Sequence, residues 1–421
     1  MKIVHIATSD ISGGAARAAY RLHSGLRLLN LESSMLVANR SSDDPYVTEI
    51  VRRGDLTAGL RRLARRYVLH RVAAQYASSR PAGATFFSDD RSEFGPEVMR
   101  QLPPCEVVNL HWVAGFIDFR SFFRVVPRRS PLVWTLHDTN PFTGGCHYYD
   151  SCRRSNDGCG ACPELGSAVN SDLSRAIWQR KKAAYSCIPD GRLHVVTPSR
   201  WLAGEVRQST LLGRFRVSVI PYGLDTEVFS PRNREMAREV LNIPHDKRVI
   251  LFVADHVRER RKGFALLAEA LAALPAEAGI HLVSLGRSAL FPNLRSPNLS
   301  LGFIDNDFVL SLVYSAADLY VIPTLDDNLP NTALESMSCG TPVVGFDTGG
   351  VPDMVRNGVS GFVVPKGDTG ALRQAVLRVL DNPALRAEMS QNCRRIAVEE
   401  YDIVLQAERY LALYESLTSN Q

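Results

Sequence analysis

The chain has 421 residues, 45% of them hydrophobic, which is enough for two domains of ordinary size and excludes a single small domain. The net charge of +5 suits an anionic ligand, an anionic membrane surface or nucleic acid, so charge alone does not choose the partner. No apolar run approaches the roughly 20 residues that span a bilayer, and the N-terminus lacks the pattern of a signal peptide. We therefore expect a cytoplasmic protein.

Strand-like apolar runs alternate with helix-length segments along the whole sequence. In the first half they are Ile3–Ala7, Met35–Ala38, Val107–Leu110, Leu132–Leu136 and His194–Thr197. In the second half they are Val249–Ala254, Leu282–Leu285, Leu319–Ile322, Val343–Phe346 and Phe362–Val364. This spacing predicts an α/β fold with two Rossmann-like domains, each with a parallel sheet. We place the first domain at residues 1–215, the second at 216–395 and a C-terminal helix at 396–421.

Two adjacent glycines, Gly13 and Gly14, follow the first predicted strand and precede an alanine-rich helix. Glycine lets the backbone approach a ligand closely, and a helix N-terminus attracts phosphate. The pair therefore predicts a phosphate-facing loop. The alternative is a tight turn needed only for packing the helix on the strand.

The segment from Arg52 to Gln75 carries an amphipathic helical pattern. Its apolar positions are Leu56, Leu60, Leu63, Tyr67 and Val68, and its arginines include Arg61, Arg62, Arg65, Arg66 and Arg71. The commoner interpretation is a helix that faces the core and has a solvated basic side. The other is peripheral contact with an anionic membrane. Nucleic acid is disfavoured, because no recognised binding module accompanies the arginines.

Two histidines, His111 and His137, stand at the ends of predicted strands of the first half. Ligands gather at the carboxyl ends of parallel strands, so both are candidates for a binding cleft. A histidine in such a place is also commonly a structural residue with its own hydrogen bonds.

Four cysteines, Cys146, Cys152, Cys159 and Cys162, fall in one loop after the strand that precedes His137. The Cys159-x2-Cys162 spacing is typical of zinc ligands and suggests a structural zinc. The spacing of five residues between Cys146 and Cys152 is longer than the usual spacing in a zinc knuckle. Free thiols packed in the loop are the alternative, since disulfides do not persist in a reducing cytosol.

The turn after the strand ending at Ala254 is basic, and it runs through Arg261 and Lys262 to Gly263. Preorganised cations at a strand edge can neutralise a leaving diphosphate. The alternative is an ordinary solvated basic surface.

Residues 324–350 predict a turn and a short helix between two buried parallel strands. Asp327 then lies at the carboxyl edge of the sheet, where ligands bind. Asn331 is the predicted N-cap, so the next N–H groups can meet an anion. Glu335, one turn into the helix, can accept hydrogen bonds from sugar hydroxyls. The alternative makes Asp327 a turn residue and Glu335 a helix-dipole carboxylate.

Asp327-x7-Glu335, with the following SMSCGTPVV and GGVPDMV and the hinge-like VIPYGLDTEVFSP, resembles the signature of retaining glycosyltransferase family 4. The resemblance covers both halves of the chain. It implies the GT-B fold, with two Rossmann-like domains facing each other across a cleft and the C-terminal helix crossing back onto the first domain. The family usually has glutamate where this chain has Asp327.

The resemblance also implies roles for individual residues. Glu335 would bind the nucleotide ribose, Asp327 and His137 the donor sugar, and Lys262 the diphosphate. The arginine that the family usually carries just after the strand is replaced here by Asp255 and His256, so Arg258 or Arg261 would supply its charge. The predicted catalytic residues are His137, Asp327 and Lys262. The predicted donor-binding residues are Gly13, Gly14, Arg261, Lys262, Gly302, Phe303, Ile304, Asn328, Leu329, Pro330, Asn331, Thr332 and Glu335.

The implied activity is transfer of a sugar, with retention, from a nucleotide diphosphate sugar to a hydroxyl of a glycan or lipid-linked acceptor. The cysteine loop resembles that of colanic acid-type exopolysaccharide transferases, which places the activity in surface polysaccharide assembly and the loop near the acceptor. Such transfer requires no metal cofactor, so zinc would be structural. A GT-B nucleotide-sugar epimerase and a non-catalytic nucleotide-sugar-binding subunit are the alternatives.

Overall fold

The computed structural model describes residues 1–51, 56–126, 130–254, 259–274, 279–287 and 297–419. It divides into two compact units. The first comprises Met1–Pro221 together with Gln406–Gln421, and the second comprises Tyr222–Leu405.

The first unit is built on a parallel sheet that has seven strands within the described residues, in the order β3-β2-β1-β4-β5-β6-β7. The strands are β1 (Lys2–Ser9), β2 (Glu32–Asn39), β3 (Val47–Glu49), β4 (Val107–Leu110), β5 (Leu132–Thr135), β6 (Leu193–Thr197) and β7 (Arg216–Val219). The helices are α1 (Gly14–Leu28), α2 (Leu56–Ala74), α3 (Glu97–Arg100), α4 (Phe119–Val125), α5 (Leu173–Tyr185) and α6 (Arg200–Gln208). The central strands are buried on both faces, which explains their continuous apolar runs.

The second unit repeats this plan with a parallel sheet of six described strands in the order β10-β9-β8-β11-β12-β13. The strands are β8 (Arg248–Val253), β9 (Ile280–Leu285), β10 (Asn298–Ser300), β11 (Leu319–Ile322), β12 (Val343–Phe346) and β13 (Gly361–Val364). The helices are α7 (Arg234–Val240), α8 (Phe264–Ala272), α9 (Asp307–Ala316), α10 (Asn331–Ser338), α11 (Val351–Met354), α12 (Thr369–Leu380) and α13 (Pro383–Tyr401). Among the described residues, no helix of either unit is both long and apolar enough to span a membrane.

The last helix, α14 (Ile403–Thr418), begins in the second unit and continues into the first. Tyr410 and Tyr414 on this helix are fully buried in the core of the first unit. Asn109 Nδ2 donates to the Tyr414 hydroxyl at 2.8 Å, and the Tyr410 and Thr135 hydroxyls lie 2.9 Å apart. Two buried polar contacts therefore fix where this helix lies on the sheet of the first unit.

The predicted alternation of parallel strands and helices is confirmed, and each of the ten predicted runs lies in an observed strand or extends one residue past its end. Three strands that the sequence analysis did not predict, β3, β7 and β10, are short and half-exposed at sheet edges. Because β7 pairs with β6, the first unit continues past residue 215 to Pro221. The division near the C-terminus likewise falls after Leu405 rather than after residue 395.

The core-facing interpretation of the helix at 52–75 is wrong for its described part. Leu60, Leu63 and Tyr67 on α2 are each about two-thirds exposed, and Val68 is also exposed. The side facing the protein instead carries Arg65, whose guanidinium donates to the Glu93 carbonyl oxygen. Helical periodicity predicts an apolar stripe along the helix, but it does not show whether that stripe or the opposite face packs against the protein. Residues 52–55 lie outside the described residues.

Candidate functional site

The turn after β11 holds an ion-pair cluster. Asp327 is 8% exposed, and its Oδ2 accepts hydrogen bonds from Lys262 Nζ at 2.9 Å and Arg261 Nη1 at 3.2 Å. Oδ1 accepts the backbone N–H of the neighbouring Asn328 at 3.0 Å. Glu259 in turn pairs with Arg261 at 2.9 Å. Three of the predicted site residues therefore meet directly at the carboxyl edge of the second sheet.

Burial alone would raise the pKa of Asp327, but Lys262, Arg261 and the Asn328 N–H together hold this pKa below its ordinary value. The carboxylate is therefore charged at neutral pH. It holds two cations at a sheet edge, where a second anion such as a phosphate can share them.

Two glycines allow the close approach that the cluster needs. A Cβ on Gly263, directly after Lys262, would lie 1.7 Å from the Pro323 carbonyl oxygen at the end of β11. A Cβ on Gly349 would lie 1.6 Å from the carbonyl oxygen of Asp327. Both residues also have positive φ, +69° and +55°. The Lys-Gly pair and the GG motif thus bring the lysine and the acidic turn together.

The helix α10 begins one residue earlier than predicted. Pro330 is the N-cap and Asn331 is the first helical residue, so the prediction of Asn331 as N-cap is wrong. Pro330 sits in extended backbone with φ −68°, which its ring favours, and it ends the turn before the helix. Pro330 has no side-chain group that can cap the helix, and the first turn carries no acidic residue, so the positive dipole end suits an anion.

Glu335 lies within α10 and is 4% exposed. The Tyr314 hydroxyl on α9 donates to its Oε2 at 2.9 Å. Burial, followed by the nearby Glu335 carboxylate, raises the pKa of Tyr314 well above its ordinary value, so the phenol stays a donor. On the same helix, the Thr332 hydroxyl lies 2.8 Å from the Tyr320 hydroxyl. Sequence reasoning missed Tyr314, because nothing in its own segment marks the contact with α10.

Gly302, Phe303 and Ile304, which are predicted to bind the donor, follow β10. Gly302 has φ +68°, and Phe303 is 54% exposed, so Phe303 is not a core residue. The guanidinium of Arg287 lies 4.5 Å from the centre of the Phe303 ring. The turn therefore displays an aromatic face with a cation beside it.

In the first unit, α1 begins at Gly14 with Gly13 as its N-cap at φ +93°. Gly13 has no side chain that could cap this end, and the first turn of α1 contains no acidic residue. The buried Asp10 fixes the loop by accepting the backbone N–H groups of Ile11, Ser41 and Ser42. This arrangement leaves a glycine-rich helix N-terminus of the kind that binds phosphate.

Both predicted strand-end histidines are buried, and they contact each other. His111 Nδ1 lies 3.1 Å from His137 Nε2, and the side chains are 2% and 6% exposed. Next to them, Asp138 Oδ2 accepts from Trp112 Nε1 at 2.7 Å and lies 2.5 Å from His147 Nδ1. The Asp138 network ties the start of the cysteine loop to the end of β5. Sequence reasoning did not predict it.

The four loop cysteines line one cavity of about 20 Å³, roughly enough for one water-sized occupant. Burial raises the pKa of Cys159 to about 12, and its Sγ accepts the Gly144 N–H at 3.2 Å. Within the described residues, however, no three His, Cys, Asp or Glu side chains are placed as metal ligands. The loop thus brings its four thiols to one cavity, while zinc binding stays a prediction.

Three residues considered for the diphosphate site are not among the described residues. They are Asp255, His256 and Arg258. Of the two arginines considered for the missing charge, the described one, Arg261, contacts Asp327 directly. Within the second unit, two cations from the turn before α8 therefore contact Asp327 in the turn after β11, and the N-terminus of α10 and Glu335 follow Asp327 in the sequence. This combination can bind a phosphate beside polyol hydroxyls.

Comparison with known proteins gives matches for the second unit in sequence and for the whole chain in fold. Residues 247–382 match the family model described as Glycosyl transferases group 1. The D-inositol 3-phosphate glycosyltransferase of Mycolicibacterium smegmatis is 32% identical over 182 residues, which is 40% of this chain and 41% of that protein. The match thus spans about two-fifths of the relative's length.

Two solved structures resemble the whole chain. The sucrose-phosphate synthase of Thermosynechococcus elongatus has a TM-score of 0.70 at 19% identity and covers 100% of both chains. Anabaena HepE, solved in complex with UDP and glucose, has a TM-score of 0.65 at 17% identity, covering 99% of this chain and 100% of that one. At such identities the likeness shows the fold alone. The predicted GT-B fold class is confirmed.

Proposed function

We propose that the protein is a retaining glycosyltransferase. It moves a sugar from a nucleotide diphosphate sugar to a hydroxyl of a glycan or lipid-linked acceptor in surface polysaccharide assembly. The observation that carries this proposal is the contact of Lys262 and Arg261 with Asp327, within the stretch that matches the glycosyltransferase family model. HepE was solved with UDP and glucose, which supports a nucleotide sugar as donor.

The cation cluster suits the chemistry of such a transfer. The pyrophosphate leaves with growing negative charge. Lys262 and Arg261 both contact Asp327, and each can also contact a phosphate beside it. Each preorganised group aimed at such charge is worth roughly 3 kcal/mol in the transition state. In front-face attack the leaving phosphate oxygen takes the acceptor proton, so the protein need not supply a general base.

Glu335 supports the choice of donor class. A buried carboxylate that Tyr314 orients through a hydrogen bond is a suitable acceptor for the paired hydroxyls of a ribose. A ribose held this way lies one helical turn from the N-terminus of α10, which suits the adjoining phosphates.

The exposed face of α2 supports contact with an anionic membrane, where a lipid-linked acceptor would be found. Leu60, Leu63, Tyr67 and Val68 form an exposed stripe at i, i+3, i+7 and i+8. Residues 56–88 contain six arginines and no acidic residue. An apolar stripe flanked by arginines is complementary to anionic lipid, with each basic residue near the surface worth roughly 1 kcal/mol.

The proposal is tested first by binding. Thermal unfolding is followed with a panel of nucleoside diphosphates and nucleotide sugars, using wild type, Glu335→Gln and the control Glu388→Gln, an exposed glutamate on α13. A ligand at about one hundred times its dissociation constant adds roughly 2.7 kcal/mol of stability. We expect a selective shift in wild type and control that Glu335→Gln loses.

The bound nucleotide sugar is then incubated with candidate acceptors, and the configuration of the product is read by NMR. Release of nucleoside diphosphate with a retained anomeric bond supports the proposal. Conversion of the donor sugar without acceptor would point to the epimerase. If no nucleotide sugar binds, both the glycosyltransferase and the epimerase are ruled out.

A further inference from the structure

Three buried histidines of the first unit are hydrogen-bonded in a row. His5 lies on β1, His111 directly after β4, and His137 shortly after β5, and these three strands lie side by side. His5 Nδ1 is 2.9 Å from His111 Nε2, and His111 Nδ1 is 3.1 Å from His137 Nε2. The three side chains are 0%, 2% and 6% exposed. The row therefore crosses the sheet beneath the surface.

All three rings are neutral at physiological pH. Burial, together with the repulsion of neighbouring imidazoles, lowers the pKa of His5 and His111 well below the ordinary value. Burial also lowers the pKa of His137. The nearby Asp138 carboxylate opposes this effect, and the resulting pKa is about 4. A neutral imidazole has one N–H donor and one nitrogen lone pair.

This single donor makes the two hydrogen bonds run in the same direction. His111 contacts a histidine through each of its nitrogens, so it donates to one neighbour and accepts from the other. Either all three rings carry their proton on Nδ1, or all three carry it on Nε2. The direction is decided at the end of the row.

His5 Nε2 decides it. This nitrogen is buried and makes no hydrogen bond with any described residue. If the protons were on Nε2, His5 would bury an N–H group without an acceptor, which proteins rarely tolerate. With the protons on Nδ1, only a lone pair is left at that place. His5 then donates to His111, and His111 donates to His137.

We propose that His5 and His111 are positioning residues that fix His137 as its Nδ1–H tautomer. The nitrogen of His137 that faces away from the row is then a hydrogen-bond donor and not a base. The consequence for catalysis rests on the proposed function: His137 exchanges a contact of the unliganded protein for an oxygen of the nucleotide sugar, to which it donates, and it does not remove the acceptor proton. This agrees with a front-face mechanism, in which the leaving phosphate takes that proton.

The tautomer is measured directly on the full-length wild-type protein, with no need for activity. Protein labelled with ¹⁵N at histidine is studied by long-range ¹H–¹⁵N NMR at neutral pH, and the His137 signals are assigned with His137→Asn. We expect Nδ1 of His137 to be of the protonated type and Nε2 of the unprotonated type. Protonation on Nε2, or on both nitrogens, overturns the proposal.

Two replacements of His5 test the role of the row. In His5→Asn, the side-chain amide can still donate near the place of Nδ1, so the tautomer of His137 and kcat are expected to stay within about twofold of wild type. His5→Leu removes that donor. It should mix the two tautomers of His137 and lower kcat about tenfold with little change in KM, since complete loss of an aimed donor costs roughly 100-fold or more.

His194→Leu is the control, because His194 is a buried histidine on β6 that bonds Ser218 and lies outside the row. It should leave the His137 tautomer unchanged. Equal effects of His5→Asn and His5→Leu on kcat would reduce His5 to a packing residue and overturn its positioning role. If the tautomer is as expected but no transfer is found, the proposed function fails and the tautomer assignment stands.

Discussion

Lys262 Nζ lies 2.9 Å from Asp327 Oδ2, so the lysine expected on the diphosphate and the acid expected on the sugar hold each other directly. Asp327 is nearly buried, and Arg261 is its second cationic partner. Exchange of Lys262 from Asp327 to a phosphate would open one acceptor position on Asp327 Oδ2, which also bonds Arg261, for a sugar hydroxyl. We therefore expect donor binding to change how available Asp327 is to a sugar.

Replacing Lys262 with Ala should lower kcat by roughly 100-fold or more, because a cation aimed at the leaving pyrophosphate is lost. It should also lower the free energy of unfolding by about 1–3 kcal/mol, because Asp327 loses a charged partner in a buried place. Steady-state kinetics and urea unfolding measure the two effects. Lys247→Ala, which removes a lysine from an exposed pair with Asp246, is the control. Unaltered turnover in Lys262→Ala would contradict the diphosphate assignment.

How far the sequence could predict the site is clear from this cluster and its neighbours. Asp327, Lys262 and Glu335 stand in short motifs at strand ends, so parallel-strand logic placed them near one sheet edge. Tyr314 and His5 lie on separate elements, and their contacts depend on packing between elements, which no local pattern reports. The prediction of Asn331 as the N-cap of α10 is wrong, because the preceding Pro330 already adopts the extended geometry of an N-cap.

Tyr314→Phe should weaken nucleotide binding without abolishing it. The phenol donates to Glu335, and a hydrogen bond to a charged group is worth about 1.5–3 kcal/mol, so we expect Kd to rise by roughly tenfold or more. Glu335→Gln should weaken binding further, because the carboxylate itself is replaced. Titration calorimetry with the nucleoside diphosphate selected by the thermal panel measures both.

Tyr410→Phe is the control, since this tyrosine is also buried and bonds Thr135 in the first unit. It should cost stability without changing nucleotide affinity. If Tyr314→Phe behaves in the same way, orientation of Glu335 by Tyr314 is unimportant for binding.

Replacing Arg61 and Arg66 with Gln should weaken binding to anionic vesicles by about 30-fold, from roughly 1 kcal/mol for each basic residue. Leu60→Ser with Leu63→Ser should weaken it as well, by removing exposed apolar side chains. Sedimentation with vesicles of phosphatidylglycerol and phosphatidylcholine measures the partition. Met236→Ser with Val240→Ser, exposed apolar residues on α7, should have no effect. Equal binding to pure phosphatidylcholine vesicles would argue against the electrostatic contribution.

Zinc at the four-cysteine cavity gives a further prediction. Protein purified under reducing conditions is expected to contain one zinc per chain by elemental analysis. Cys159→Ser with Cys162→Ser should abolish it, while Cys187→Ser, an exposed cysteine outside the cavity, should not. Because the described side chains are not placed as metal ligands, binding would require the sulfurs to move together. Metal-free protein with four titratable loop thiols would establish the packed-thiol alternative.

The buried histidines predict how stability depends on pH. Burial lowers the pKa of His5, His111, His137 and His23, and the last two fall to about 4 even with carboxylates nearby. The unfolded chain takes up a proton at each of these positions near pH 6.5, while the folded protein does not. The unfolded state therefore binds more protons between about pH 4 and 6.5, and stability falls as pH falls through that window. Above pH 6.5 these groups contribute no slope.

Each such histidine contributes up to about 1.4 kcal/mol per pH unit within the window. Urea unfolding of wild type and His23→Asn at half-unit steps from pH 5 to 8 separates one histidine from the other titrating groups. His23 is a suitable choice because it is fully buried, bonds Ser33, and lies outside the row that ends at His137. The stability difference between the two proteins should be constant above pH 7 and should shrink toward pH 5. A constant difference throughout would mean that folded His23 titrates as in the unfolded chain.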